Sequence, residues 1–173
     1  MGSLVVVETM YGSTLAVGQA VAAGLADAGH ATDVLEVSVA VTDPAWRAAA
    51  QRDRDLVVIG APTHRRGLSS ARTRGLARHD GEPLSSGPGI REWLSSGGPS
   101  RGALIAVFDT SVGRRGAGSA ARVLARRFRG QLLGSPESFV VESRIGGLLP
   151  GELERAWLWG QSLAADLATS AAG

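Results

Sequence analysis

The feature that most constrains the fold is a series of five short apolar runs, rich in Val, Leu and Ile, spread along the chain. Several runs are apolar continuously and do not alternate with polar residues, which is typical of strands buried on both faces of a parallel sheet. The runs cover residues 3–8, 32–37, 55–61, 103–109 and 138–142. They predict five strands of an α/β domain.

Helical patterns lie between the runs. Apolar residues recur at helical spacing over residues 17–28, and Gly29 then supplies a C-cap. The same spacing returns over residues 117–128 and over residues 153–167, the latter after Pro150. Because strands and helices alternate along the whole chain, we expect helices on both faces of the sheet.

One connection is unusually long. Residues 62–88 follow the third strand and are rich in Gly and Pro. A loop of this length in a compact domain is usually functional or contains a short helix, for which residues 68–78 are the candidate, before a further helix over residues 89–96. No repeat and no second domain is visible, so residues 1–173 are predicted to form one domain.

Composition excludes several classes of function. Cysteine is absent, which excludes disulfides, thiolate nucleophiles and cysteine-ligated metals. The three histidines are too scattered to suggest a metal site. No apolar run is long enough to cross a membrane, and no basic segment opens a secretory signal. We therefore expect a cytoplasmic protein with no membrane partner.

The positive charge is concentrated in the middle of the chain. All 18 basic residues are arginine. Residues 64–129 carry a net charge of +9, whereas the remainder carries −7. This asymmetry predicts a positive face. Aromatic residues do not interleave with the arginines, which disfavours nucleic acid as the partner.

The turn after the first strand carries the chemistry of a phosphate site. It consists of Thr9, Met10, Tyr11, Gly12, Ser13 and Thr14. Hydroxyl groups, backbone N–H groups and a helix N-terminus converge there, and all three favour an anion. No lysine follows, and there is no Gly-x-Gly-x-x-Gly, so a terminal phosphomonoester fits better than a triphosphate or a pyrophosphate. The alternative is a helix N-cap with spare hydroxyls.

Thr-x-x-Gly-Ser-Thr after a first strand resembles the FMN-phosphate loop of flavodoxins. The sequence of this loop, Thr-Met-Tyr-Gly-Ser-Thr, is especially similar to the corresponding loop in the flavodoxin domains of flavodiiron proteins. The segment from Gly60 to His64 resembles the family's loop along the isoalloxazine ring, and the segment from Phe108 to Gly113 lies where the family closes over the other side. A Pro-Thr-His…Gly-Leu-Ser…Thr-Arg pattern is similar to actinobacterial flavodoxin-family proteins. The resemblance implies a flavodoxin-like fold with strand order 2-1-3-4-5 and FMN as cofactor.

The resemblance also implies a role for each loop. The first loop would hold the phosphate, in part through the backbone N–H of Tyr11. The loop after the third strand would approach the flavin ring through Pro62, Thr63, His64 and Arg65. The loop after the fourth strand would approach the pyrimidine and ribityl parts through Asp109, Thr110, Ser111 and Gly113. The alternatives are an ordinary strand-ending turn at Pro62 and Thr63, and a solvated histidine at His64.

Two departures from the family pattern alter the expected properties. Neither ring loop has an aromatic residue in the usual place, which weakens stacking on the flavin. The chain's four tryptophans are assigned to core packing: Trp46, Trp93, Trp157 and Trp159. Arginines flank both ring loops at positions 65, 66, 114 and 115. Their charges would stabilise a reduced, anionic flavin and make it less reducing than in an acidic flavodoxin. The alternative is that these arginines point into water and form only a solvated rim.

Three functions remain open at this level. The first is an FMN-binding electron carrier whose basic rim docks an acidic redox partner protein. The second is an FMN-dependent NAD(P)H:quinone oxidoreductase, because Pro-Thr-His-Arg-Arg-Gly also resembles a loop of that group. In that case Arg65, Arg66, Arg72 or Arg74 would meet the phosphate of NAD(P)H. The third is a flavin-free binding domain on the same fold. The oligomeric state stays open.

Overall fold

The five apolar runs form one parallel sheet in the computed structural model of the chain. The structure describes residues 2–50, 52–64, 67–77, 83–84, 87–113 and 118–171, with the backbone alone at residues 49, 50 and 77. The strands are β1 (Gly2–Val7), β2 (Ala31–Glu36), β3 (Leu56–Pro62), β4 (Leu104–Ser111) and β5 (Glu137–Val140). Their order is β2-β1-β3-β4-β5, and each neighbouring pair is parallel. The expected strand order is confirmed.

Helices connect successive strands. Within the described residues they are α1 (Ser13–Asp27), α2 (Val37–Thr42), α3 (Pro44–Ala50), α4 (Ala71–Ala77), α5 (Ile90–Ser95), α6 (Ala120–Arg127) and α7 (Glu152–Ala171). The three long helical patterns and the short helix inside the long connection are confirmed. No described helix is long and apolar enough to cross a membrane.

The apolar strands pack on both of their faces. One face of the sheet, with Val6 and Ile59, packs against α2, α5 and α6. The other face, with Val5 and Val58, packs against α1 and α7. Burial on both faces explains why the strands are continuously apolar. It also leaves the carboxyl edge of the sheet, where the loops meet, as the place for polar residues.

Glycines allow two close contacts that fix these layers. A Cβ on Gly60 would lie 2.1 Å from the ring of Phe108, so the smallest residue is required beside this fully buried ring. Where α1 crosses α7, a Cβ on Gly24 would lie 2.1 Å from the carbonyl oxygen of Trp157, and one on Gly160 would lie 2.3 Å from that of Val21. The two helices therefore approach backbone to backbone.

The region between β2 and β3 was not fully predicted. Helices α2 and α3 occupy it, and neither shows a long apolar period. The assignment of Trp46 to the core is wrong, because α3 leaves this side chain 45% exposed. Trp93 is 2% exposed and confirms its assignment. Trp159 packs edge-on against Phe108.

Candidate functional site

The loop between β1 and α1 lies at the carboxyl edge of the sheet. Gly12 adopts a φ of 96°, in the left-handed region, and caps α1 without a side chain. Its backbone N–H donates to the hydroxyl of Thr9 at 3.1 Å. The first N–H groups of a helix have no partner within the helix, and the N-cap residue Gly12 has no side chain that could cap them. They supply donors for an anion together with the helix dipole.

The hydroxyls of this loop already make internal contacts. Thr9 and Thr14 are each 2% exposed, and Met10 is 3% exposed. Thr14 forms a hydroxyl–hydroxyl hydrogen bond of 2.8 Å with Thr110 at the end of β4. Ser13 donates to the backbone carbonyl of Gly146 at 3.3 Å. The structure therefore brings the predicted phosphate loop together with the end of β4 and with the segment after β5.

The carboxylate of Asp109 holds the ends of three elements together. It is fully buried and accepts four hydrogen bonds. The donors are the hydroxyls of Thr63 (2.9 Å), Ser119 (2.6 Å) and Ser138 (2.6 Å) and the backbone N–H of Ala121 (3.0 Å). These bonds join β3, the start of α6 and β5 to β4. A contact of Asp109 with a cofactor stays a prediction.

The loop after β3 is held against β4 and folds back on itself. The backbone N–H of Thr63 donates to the carbonyl of Thr110 at 2.9 Å. His64 and Gly67 exchange two backbone hydrogen bonds, of 2.8 and 2.9 Å. Pro62, Thr63 and His64 are partly exposed along this edge. They can contact a ligand from the side of β3, beside the partly exposed Ser111 and the exposed Gly113 of the β4 loop.

The imidazole of His64 lies in a positive environment. Burial is the largest cause that lowers its pKa, and the charges of Arg74 and Arg144 lower it further. The neutral ring is therefore favoured, and it can accept or donate a hydrogen bond without adding charge.

The arginines expected beside the ring loops fall outside the described residues. This applies to the predicted site residue Arg65 and to Arg66, Arg114 and Arg115. Of the two remaining arginines in the oxidoreductase hypothesis, Arg72 is exposed on α4, whereas Arg74 is 7% exposed.

A partly buried cluster of charged residues next to the phosphate loop was missed from sequence. Glu8, the residue directly after β1, is 2% exposed and accepts the N–H of Ile90 at 2.9 Å. Arg74 donates to Ser69 at 2.7 Å and to Glu92 at 3.0 Å. The hydrogen bond and charge of Arg74, with the N–H of Gly89, lower the pKa of Glu92 against the opposing effect of burial. The only sign of this cluster in the sequence is a charged residue, Glu8, directly after a buried strand.

A second missed feature is a hairpin after β5. Val141 and Leu148 form an antiparallel bridge, and Glu142 donates its N–H to the carbonyl of Gly147 at 3.0 Å. We call residues 141–148 the β5 hairpin. Its tip reaches the β1 loop through the contact between Ser13 and Gly146. Nothing in the Ser- and Gly-rich sequence of this segment predicts a contact with the β1 loop.

The long connection after β3 also touches the phosphate loop. The backbone N–H of Leu84 donates to the carbonyl of Met10 at 2.7 Å. A Cβ on Gly12 would lie 3.3 Å from the side chain of Leu84, which is itself 72% exposed. The described part of the chain contains no group of three or more His, Asp or Glu residues that could hold a metal ion.

Comparison with known proteins identifies the fold. Neither the models of known protein families nor the sequences of curated proteins match this chain. Solved structures do match. Rubredoxin:oxygen oxidoreductase from Desulfovibrio gigas superposes with a TM-score of 0.65 at 16% identity, over 99% of this chain and 37% of that one. The flavodiiron core of Flv1 from Synechocystis sp. PCC6803 gives 0.64 at 19% identity, over 98% and 36%.

A flavodoxin that forms a whole chain by itself matches over nearly the full length of both chains. A flavodoxin from the domain Archaea has a TM-score of 0.61 at 14% identity, over 97% of this chain and 99% of that one. The chain thus has the flavodoxin-like fold, which confirms the resemblance at the level of the fold. It spans little more than a third of the length of the two larger proteins.

Proposed function

We propose that this protein binds FMN at the carboxyl edge of its sheet and transfers electrons through it. The observation that carries the proposal is the β1–α1 loop. This loop combines the N-terminus of α1, at which the N-cap residue has no capping side chain, with the left-handed Gly12 and the hydroxyls of Thr9, Ser13 and Thr14. This donor set fits a phosphomonoester, because backbone N–H groups, hydroxyls and the helix dipole all favour an anion.

The other two loops supply the rest of the site. In the proposal, Pro62, Thr63 and His64 lie along one side of the ring, and Thr110, Ser111 and Gly113 lie along the other. When bound, FMN would accept and donate electrons, so the chain itself needs no acid–base residue. The work of the protein is to orient the ring, to set its surroundings and to present its edge to a partner.

The burial of Arg74 argues against one of the four arginines through which the NAD(P)H:quinone oxidoreductase alternative would bind its cofactor. Its guanidinium is bonded to Ser69 and Glu92, so it cannot also bind the phosphate of NAD(P)H without breaking this cluster. We propose a redox partner protein with an acidic docking surface and function in the cytoplasm. Adding NADPH to the FMN-loaded protein tests the alternative, because rapid bleaching at 450 nm would establish the enzyme.

The experiment that tests FMN binding is a titration of the purified protein with FMN, followed by visible absorption and by quenching of flavin fluorescence. We expect saturable binding at one site. The double variant Ser13→Ala, Thr14→Ser should weaken it at least about tenfold, since phosphate contacts are lost or shifted while a hydroxyl at position 14 keeps its bond to Thr110.

The matched control removes two hydroxyls far from the site. Ser162→Ala, Thr169→Ala on the exposed side of α7 should leave FMN binding unchanged. If the wild-type protein binds no FMN at millimolar concentration, the proposal is wrong and the flavin-free binding domain becomes the better interpretation.

A further inference from the structure

Exposed positive charge lies on the helix that starts at the candidate site. Residues 110–136 contain six arginines and no acidic residue. The arginines of this segment that the structure describes lie on α6 and in the turn after it, and all of them are exposed: Arg122, Arg126, Arg127 and Arg129. We call these residues the α6 arginine surface.

The α6 arginine surface is free of partners because the opposite side of the helix belongs to the core. Ala121 and Leu124 are buried against β3 and β4. Arg122 and Arg126 are four residues apart and therefore lie on one face of the helix. No ion pair within the described residues involves any arginine of this surface. Its charge is therefore available to another molecule.

The α6 arginine surface begins at the edge of the candidate site. The N–H of Ala120 donates to the hydroxyl of Thr63 at 3.0 Å, and the N–H of Ala121 donates to the carboxylate of Asp109 at 3.0 Å. These bonds fix the first turn of α6 to the carboxyl ends of β3 and β4, and Arg122 is the next residue. A molecule docked on this surface therefore lies beside the two loops that are proposed to contact the flavin ring.

We propose that the α6 arginine surface docks the acidic surface of a small redox protein. Opposite charges on two protein surfaces speed their encounter and set their orientation. Each guanidinium presents a planar fork of N–H donors that fits a carboxylate. This inference rests on the proposed function, in which the edge of the flavin ring exchanges electrons with that protein.

A compact acidic protein fits this surface better than an extended polyanion such as nucleic acid. The residues outside 64–129 carry a net charge of −7, so a long polyanion that extended past the arginines would be repelled. Phe128 is the aromatic residue of this segment of the chain. It is partly buried and packs against the core, so it offers no open ring on which a base could stack.

Two small haem proteins of opposite charge test the docking: cytochrome b5, which is acidic, and cytochrome c, which is basic. Each is immobilised, and binding of this protein is measured with and without FMN in about 50 mM sodium chloride. We expect binding to cytochrome b5 and not to cytochrome c. The double variant Arg122→Gln, Arg126→Gln should weaken it at least about threefold. About 500 mM sodium chloride should abolish most of the wild-type binding, because salt screens exposed charges.

The matched control is the double variant Arg47→Gln, Arg52→Gln, which removes two exposed positive charges from α3 and the segment after it. It should change binding to cytochrome b5 by less than about 1.5-fold, since these charges lie outside the docking surface. Circular dichroism checks the folding of both variants, and both should bind FMN as the wild type does.

Electron transfer gives a second readout. The FMN-loaded protein is reduced stoichiometrically with dithionite and mixed with oxidised cytochrome b5. Each haem iron takes up one electron, so two cytochromes oxidise one fully reduced flavin, which releases its protons to water. The rate should fall at least about threefold in Arg122→Gln, Arg126→Gln and stay unchanged in the control variant.

The outcomes that overturn the proposal are distinct from those that overturn the proposed function. No binding of the wild type to cytochrome b5, or equal binding of Arg122→Gln, Arg126→Gln, rejects the docking surface, while FMN binding leaves the proposed function standing. Equal weakening in the control variant shows an effect of net charge alone and also rejects it. Tighter binding of a short DNA duplex than of cytochrome b5 assigns the arginines to nucleic acid. Binding of cytochrome b5 through α6 without any binding of FMN keeps the docking surface and overturns the proposed function.

Discussion

The hydroxyl oxygens of Thr14 and Thr110 lie 2.8 Å apart at the point where the start of α1 meets the end of β4. Thr14 is 2% and Thr110 5% exposed, so neither hydroxyl exchanges this bond readily for one with water. A buried hydroxyl without a partner costs about 1–3 kcal/mol. The pair therefore fixes the start of α1 against the end of β4 at the candidate site.

A double-mutant cycle tests this pair. Thr14→Val and Thr110→Val should each lower the free energy of unfolding by about 1–2 kcal/mol, because each leaves the other hydroxyl unpaired. The double variant should lose less than the sum, by about 1 kcal/mol. Urea unfolding measures all four proteins. Thr169→Val, on the surface of α7, is the control and should change stability by less than about 0.5 kcal/mol. Strict additivity would show that the two hydroxyls do not depend on each other.

Asp109 should be the most sensitive position of the site for stability. Asp109→Asn replaces an acceptor of four hydrogen bonds by an amide whose NH₂ group must face donors. We expect a loss of at least about 3 kcal/mol in urea unfolding. Ser138→Ala removes one donor and should cost about 1.5–3 kcal/mol. A stable Asp109→Asn protein that unfolds like the wild type would contradict the buried carboxylate network.

The strands could be predicted from sequence because their burial on both faces leaves a continuous apolar run. The short helix α2 could not, since Val37–Thr42 is rich in β-branched residues that disfavour helices. Its start is stabilised instead by the Glu36 side chain, which accepts the N–H of Ser38. This cap and the tertiary packing of Val37 and Ala40 outweigh the low helix propensity of the segment.

The site was only partly predictable for a similar reason. The composition of the β1 loop indicates an anion site, because hydroxyls, a glycine and a helix N-terminus directly follow a buried strand. The contact between Thr14 and Thr110 joins residues 96 positions apart and depends on strand order. The contact between Ser13 and Gly146 depends on a hairpin whose sequence has no periodic pattern. Contacts of this kind form only once the sheet has assembled, so no short stretch of the sequence predicts them.

The close crossing of α1 and α7 predicts a sharp difference between two glycines. Gly24→Ala places a methyl group 2.1 Å from the carbonyl oxygen of Trp157, and a backbone atom cannot move aside as a side chain can. We expect a loss of about 2–3 kcal/mol, or more if the helices must separate. Gly75→Ala in α4 meets nothing within 4 Å and should raise stability by up to about 1 kcal/mol through helix propensity. Thermal unfolding compares both with the wild type, and an unchanged Gly24→Ala would disprove the backbone contact.

The surroundings of His64 predict how stability depends on pH. Burial, Arg74 and Arg144 lower the pKa of His64 below 6.5, the value expected in the unfolded chain. As the pH falls through 6.5, the unfolded state takes up a proton before the folded state does, so the contribution of His64 is present above that pH and is lost below it. The lowered pKa of Glu92 acts only below about 4.5, outside this window.

The measurement compares wild type with His64→Gln by urea unfolding at pH 7.5 and pH 5.5. Subtracting the two proteins removes the titration of every other group. We expect the stability advantage of the wild type over His64→Gln to shrink at pH 5.5. Only the wild type has a side chain at this position that takes up a proton in the unfolded state over this pH range, and that uptake favours unfolding. The additional variant Arg144→Gln should make the shrinkage smaller, since it removes one of the two charges that oppose protonation of the ring. An advantage that grows at pH 5.5 would mean that the folded protein stabilises the imidazolium, in conflict with the two arginines beside it.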